Sequence, residues 1–170
     1  MRKATTARRR GSSAGRLAAR CAALSLCVLA AACGPAVVYE ESVALPGAWS
    51  YADSASFAYE IADASRAYDL ELTIRHTDVF PTQNLYARFV TVYPDGRRES
   101  QPVSLELADK RGAWLGDCRG GDCARELLIQ EAARFPVAGT YGLTLHQFGR
   151  RDTLPGVTGL RLRVAEHPTG

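Results

Sequence analysis

Beyond residue 36 the chain alternates apolar and polar residues with a period of two in segment after segment. The clearest is Tyr68-Asp69-Leu70-Glu71-Leu72-Thr73-Ile74-Arg75, where Tyr68, Leu70, Leu72 and Ile74 share one face and the polar residues share the other. That pattern predicts a half-buried strand. Val37 to Leu45, ending at Pro46-Gly47, and Phe57, Tyr59 and Ile61 predict two earlier strands. Leu85 to Tyr93 is apolar on both faces and stops at Pro94-Asp95-Gly96, which predicts a central strand and a turn. Val103, Leu105 and Leu107 alternate next, followed by a glycine- and charge-rich stretch from Asp109 to Gly121 that predicts a loop or short hairpin. Tyr141, Leu143 and Leu145, then Leu160, Leu162 and Val164 after a Pro155-Gly156 turn, predict two closing strands.

Only Ala124 to Phe135 is ambiguous. Leu128, Glu131, Ala132 and Phe135 fit a helical spacing, whereas Leu127 and Ile129 fit a strand running into a turn at Gly139, which is the preferred reading. Eight or nine short strands at near-regular spacing, with no convincing long helix and no alternating β-α order, predict an all-β antiparallel sandwich of jelly-roll type.

The N-terminus follows a different logic. Residues 1–20 hold seven basic side chains and no acid, and residues 21–32 are apolar apart from Ser25. A charged segment followed by a short apolar one is the pattern of a secretory signal. A bilayer span needs about 20 apolar residues, so this run is too short to remain as a transmembrane helix. It ends Leu29-Ala30-Ala31-Ala32-Cys33-Gly34, with small residues before a cysteine as at a lipoprotein signal-peptidase site. The expectation is a cleaved signal at 1–32, a lipidated Cys33 with a short tether at 33–36, and a β-sandwich domain at 37–170. The chain is thereby tethered to a membrane of the cell envelope.

This division changes what the charge means. Losing seven of the 21 bases and none of the 18 acids turns a formal +3 into −4. Nucleic acid is therefore not an expected partner. The cysteines sort likewise: Cys21 and Cys27 leave with the signal, Cys33 takes the lipid, and Cys118 and Cys123 remain. In an exported chain that pair reads as a disulfide, and a metal half-site is the weaker alternative because no second pair exists.

Motifs of catalysis are absent: no Gly-x-Ser-x-Gly elbow, no His-Glu-x-x-His, no phosphate loop. His76, His146 and His167 fall in unrelated segments, so no catalytic residue, metal, cofactor or small-molecule substrate is expected. Trp49 and Trp114 stand near glycines and turns, where an aromatic either packs over the core edge or stacks on a sugar or a protein. Arg75, Asn84, Asp95 and Arg150 lie beside turns and strand ends, where polar side chains hold loops or face a partner.

Several phrases, taken in order, resemble the GldH family of gliding-motility lipoproteins of the Bacteroidetes. They are Val38-Tyr39, Trp49, Tyr68-Asp69-Leu70 with Arg75, Phe80-Pro81-Thr82-Gln83-Asn84-Leu85-Tyr86, and Tyr93-Pro94-Asp95-Gly96. Glu106-Leu107-Ala108-Asp109, Gly112-Ala113-Trp114-Leu115-Gly116, Gly139-Thr140-Tyr141, Gln147 with Arg150, and Leu154-Pro155-Gly156-Val157 follow. The chain departs from the family pattern at His76, where asparagine is usual, and in the Cys118–Cys123 pair. The resemblance implies a non-enzymatic lipoprotein needed for gliding, whose partners are the membrane and other envelope proteins of the gliding and secretion machinery. A carbohydrate-binding β-sandwich lipoprotein is the alternative. It requires aromatics and amides converging on one concave face, whereas an adaptor requires a flat patch or an exposed strand edge.

Overall fold

The structure is a computed structural model and describes residues 34–168. The signal segment and Cys33 lie outside the described residues. Eleven strands follow one another: β1 (Val37–Ala44), β2 (Ala48–Ser50), β3 (Ser54–Ile61), β4 (Ala67–Thr77), β5 (Asn84–Val92), β6 (Arg98–Glu106), β7 (Asp117–Arg119), β8 (Asp122–Arg134), β9 (Gly139–Gln147), β10 (Thr153–Pro155) and β11 (Val157–Glu166). They form a five-stranded sheet in the order β1-β11-β4-β8-β7, a four-stranded sheet in the order β3-β9-β5-β6, and a two-stranded ribbon of β10 and β2.

Among the eight long strands the first pairs with the last (β1·β11), the second with the seventh (β3·β9), the third with the sixth (β4·β8) and the fourth with the fifth (β5·β6), all antiparallel. That is a chain doubled into one long hairpin and rolled up, with β11·β4 and β9·β5 sealing neighbouring turns of the roll. The result is a jelly roll. The expected sandwich is present, with β5 interior to its sheet as its two apolar faces predict.

Alternation decides which side of each strand meets the other sheet. Phe57, Tyr59 and Ile61 of β3, Leu70, Leu72 and Ile74 of β4, Leu143 and Leu145 of β9, and Leu160, Leu162 and Val164 of β11 form one buried cluster. Each such side chain stabilises the fold by about 1.5–3 kcal/mol relative to exposure. The outer face of the five-stranded sheet is charged instead. There Arg161 pairs with Glu40 and Glu126, and Arg163 with Glu71 at 2.6 Å.

The roll has two dissimilar ends. At one, Glu166 donates its backbone N–H to Ala36 at 2.8 Å, so the chain enters the sheet beside the β3–β4, β5–β6 and β8–β9 connections. The far end gathers the β2·β10 ribbon, the β7–β8 hairpin and the loops after β4, β6 and β9. Close approach fixes Gly156 there: its φ is +87°, and a Cβ would lie 2.8 Å from the Phe80 nitrogen.

A candidate docking cleft between two strand edges

Each sheet ends in a strand with one free side. β6 closes the four-stranded sheet, and its outer residues are polar: Arg98, Glu99, Ser100, Gln101 and Pro102 are all exposed. Pro102 suits this place, since a proline inside a sheet would remove a ladder hydrogen bond. β8 is bordered by β7, but only over Asp122, Cys123 and Ala124. Beyond them the outer edge of β8 carries no strand.

Between these edges the two sheets part, leaving a cleft of about 840 Å³. Its floor is apolar, made by Leu70, Phe89, Leu143 and the aromatic group of Tyr59, Phe135 and Tyr141. Tyr141 stacks on Tyr59 with centroids 6.1 Å apart and meets the edge of Phe135 at 4.7 Å. Burial, with the neighbouring tyrosines, pushes the Tyr59 hydroxyl well above its ordinary pKa, so it stays neutral at any physiological pH. Leu127 and Ile129 from β8 and Val103 from β6 extend the apolar lining toward solvent.

The rim is charged, and most of its charges are engaged. Glu99 accepts from the Tyr93 hydroxyl at 2.8 Å and pairs with Arg97 at 3.1 Å. The hydrogen bond to Glu99 also holds the Tyr93 pKa above its usual value. Glu106 accepts from Gln83 Nε2 at 3.1 Å, and Arg134 reaches the Ser65 carbonyl. Arg125 differs: it forms no ion pair among the described residues, and its buried Nε has no hydrogen-bond partner.

The residues singled out from the sequence fall elsewhere. Trp49 is fully buried and donates its indole N–H to the Asp53 carbonyl at 3.2 Å, so it offers no face to a sugar. Trp114 is half-buried, set edge-on against His76 at 4.7 Å and near Phe80. Asn84 donates to the Ser104 hydroxyl at 2.8 Å, tying β5 to β6. Asp95 accepts the Arg97 N–H at 2.9 Å and caps the β5–β6 turn. Arg75 is exposed on the outer face of β4, between Gly159 and Ala124. Arg150 is exposed in the loop after β9. Trp49, Asn84, Trp114 and Arg150 share the far end of the roll, while Asp95 caps the opposite end.

Cys118 and Cys123 face each other across β7 and β8 and are joined by a disulfide. Gly120 and Gly121 make the two-residue turn between them, both with positive φ, as a tight hairpin of this kind requires.

Two further polar residues organise the far end and went unmarked as sites. Gln147 is buried, donates Nε2 to the carbonyls of Arg151 and Asp152, and accepts from the Gly149 N–H, so it shapes the loop that presents Arg150. His76 is buried between Phe80 and Trp114, and its Nε2 has no partner. Among the described residues no group of three or more His, Cys, Asp or Glu side chains is placed to hold a metal ion.

The sequence profile of the GldH lipoprotein family matches residues 37–164, from the first residue of β1 to the last turn of the core in β11. The chain belongs to the GldH lipoprotein family. It is 24% identical over 144 residues to the gliding motility lipoprotein GldH homolog of Christiangramia forsetii, covering 81% of this chain and 88% of that one. It is 22% identical over 134 residues to the gliding motility lipoprotein GldH of Flavobacterium johnsoniae, covering 78% and 83%. Among solved structures, a chain in the structure of infectious bursal disease virus Gx strain aligns with 77% of this chain and 30% of its own, at 13% identity and a TM-score of 0.31. In GldH terms the family match spans both walls of the β6–β8 cleft as well as the loops of the far end.

Proposed function

We propose that this GldH-family lipoprotein is a non-catalytic adaptor, held in the cell envelope through Cys33, that joins other envelope proteins of the gliding-motility and secretion machinery. The observation that carries the reading is the way the chain enters its fold. Ala36 is already hydrogen-bonded to β11, so a lipid on Cys33 holds the roll by one end and leaves its side cleft and far end for other proteins. Support for docking over catalysis comes from the cleft itself, which combines an apolar floor with a free strand edge. The test is deletion of the gene, with complementation by wild type or Cys33→Ala. Deletion should abolish colony spreading and wild type should restore it. The Cys33→Ala protein should leave the membrane fraction after carbonate washing and fail to restore spreading. A deletion strain that spreads normally overturns the proposal.

A further inference from the structure

We infer that the cleft between β6 and β8 is a strand-acceptor site: a short extended segment of a partner protein adds to the free edge of β8, lays alternate apolar side chains on the cleft floor and sets a carboxylate against Arg125. The inference rests on the adaptor reading and names the chemistry of its partner.

The free edge comes first. β7 and the preceding Gly116, whose Cβ would strike the Ala124 carbonyl at 2.4 Å, cover β8 only as far as Arg125. From Glu126 onward the outward N–H and C=O groups of β8 have no neighbouring strand, and such a row is a template for another chain. The facing edge is a poorer template, because Pro102 has no N–H to give. Register shifts between Leu128 and Gln130 and between Gln130 and Ala133 bend β8. The bend restricts addition to a segment of about five residues and discourages indiscriminate sheet growth.

The side chains select the occupant. A strand laid beside β8 turns every second residue inward, toward Leu127, Ile129 and Phe135. Arg125, half-buried, is the rim charge with neither an ion pair nor a hydrogen bond among the described residues, while Glu99 pairs with Arg97 and Glu106 and Arg134 have neutral hydrogen-bond partners. A guanidinium in so confined a place favours a bidentate carboxylate. A lipid acyl chain would fill the floor but leave the β8 edge unpaired, so the cleft suits an acidic, alternating peptide better.

The full-length lipoprotein, kept in detergent micelles, is used to select from a displayed library of random ten-residue peptides, and enriched peptides are synthesised. Enriched sequences should alternate apolar and polar residues and carry Asp or Glu. Their binding, read by fluorescence anisotropy, should weaken about tenfold or more in Arg125→Gln, the loss expected for a charge-assisted hydrogen bond. Amide hydrogen exchange in the unsubstituted protein should slow at Glu126–Gln130 on binding, a readout independent of how the variant folds. Failure to enrich any peptide overturns the inference, as does binding that leaves β8 exchange unchanged. Displacement of the peptides by palmitate that protects no β8 amide overturns it too, assigning the cleft to an acyl chain. Each of these failures leaves the gliding requirement standing, because spreading of the deletion strain is scored separately.

Discussion

Asp69 holds two parts of the molecule with one carboxylate oxygen. It accepts the Ala132 N–H at 2.8 Å and meets His167 Nδ1 at 2.8 Å. Ala132 sits at φ 48°, a left-handed conformation that costs a non-glycine residue about 1–2 kcal/mol. The hydrogen bond that Ala132 donates to Asp69 therefore secures the bend in β8. Burial pushes the Asp69 carboxyl up, but the Ala132 N–H and His167 outweigh it and hold the pKa below the ordinary aspartate value. A carboxyl lowered in the folded state adds stability above its unfolded pKa of about 3.9 and loses it as pH falls through the folded value. Asp69→Ala should thus cost about 1 kcal/mol at pH 7, the typical net contribution of one hydrogen bond, since the Ala132 N–H left behind is exposed to water. In thermal melts the deficit against wild type should begin to shrink below about pH 4, where the unfolded carboxyl takes up its proton, and vanish only below the lower native pKa, where the native carboxylate is itself protonated. A deficit independent of pH would mean that the charge is idle. The two tryptophans mark the limit of sequence at this scale. Both lie near glycines, yet Trp49 is fully buried and Trp114 half-buried. The difference comes from β2 pairing with β10, where Trp49 faces Leu154. Three-residue strands so far apart in the chain carry no periodicity to read.

At the scale of elements, long strands with one buried face were legible because burial imposes period two on them. β3, β4, β9 and β11 fall where alternation puts them. β8 looked ambiguous for a physical reason: Leu127, Ile129, Ala133 and the following Phe135 keep one parity and pack against the core, but two register shifts between Leu128 and Ala133 interrupt the alternation, and the exposed Leu128 adds an apolar residue of the other parity that fits a helical spacing. The first half of β6 was hidden differently. Arg98 to Pro102 borders the cleft and buries nothing, so only Val103 and Leu105 signalled a strand. The wall of the candidate site was therefore the least legible part of the sheet, since a strand left free for a partner lacks the burial that writes a pattern. The β7–β8 hairpin, in contrast, was written in its cysteines and glycines. Its disulfide closes a loop with a sequence separation of 5, for which the chain-entropy estimate is about 2 kcal/mol. Replacing Cys118 and Cys123 together with serine should lower stability by about that amount, measured by urea midpoint, and leave the fold intact. The same substitution should speed exchange at Asp122–Ala124, the part of the β8 edge that β7 covers. A variant as stable as wild type would show that the turn glycines alone set the hairpin.

At the scale of the whole molecule, the roll makes direction a consequence of topology. β1 is the edge strand farthest from β8 in its sheet, so the tether leaves from the side opposite the cleft. It also leaves from the end that carries the β3–β4, β5–β6 and β8–β9 connections, where Val137 is 50% exposed. Only Gly34, Pro35 and Ala36 separate Cys33 from β1, and three extended residues reach about 10 Å. If Cys33 carries the proposed lipid, that end would face the bilayer at close range, and a partner of the cleft would have to come from the membrane or be anchored beside it. A flexible insertion of about 20 residues after Gly34 tests this, because such a linker behaves as a loose coil and moves the domain away without touching its core. The variant should melt at the wild-type temperature, stay in the membrane fraction and fail to restore colony spreading to a deletion strain. Loss of spreading with stability and anchoring intact isolates distance as the cause. Full restoration would mean that the roll works at any height above the bilayer, so that its partner reaches toward it from the far end.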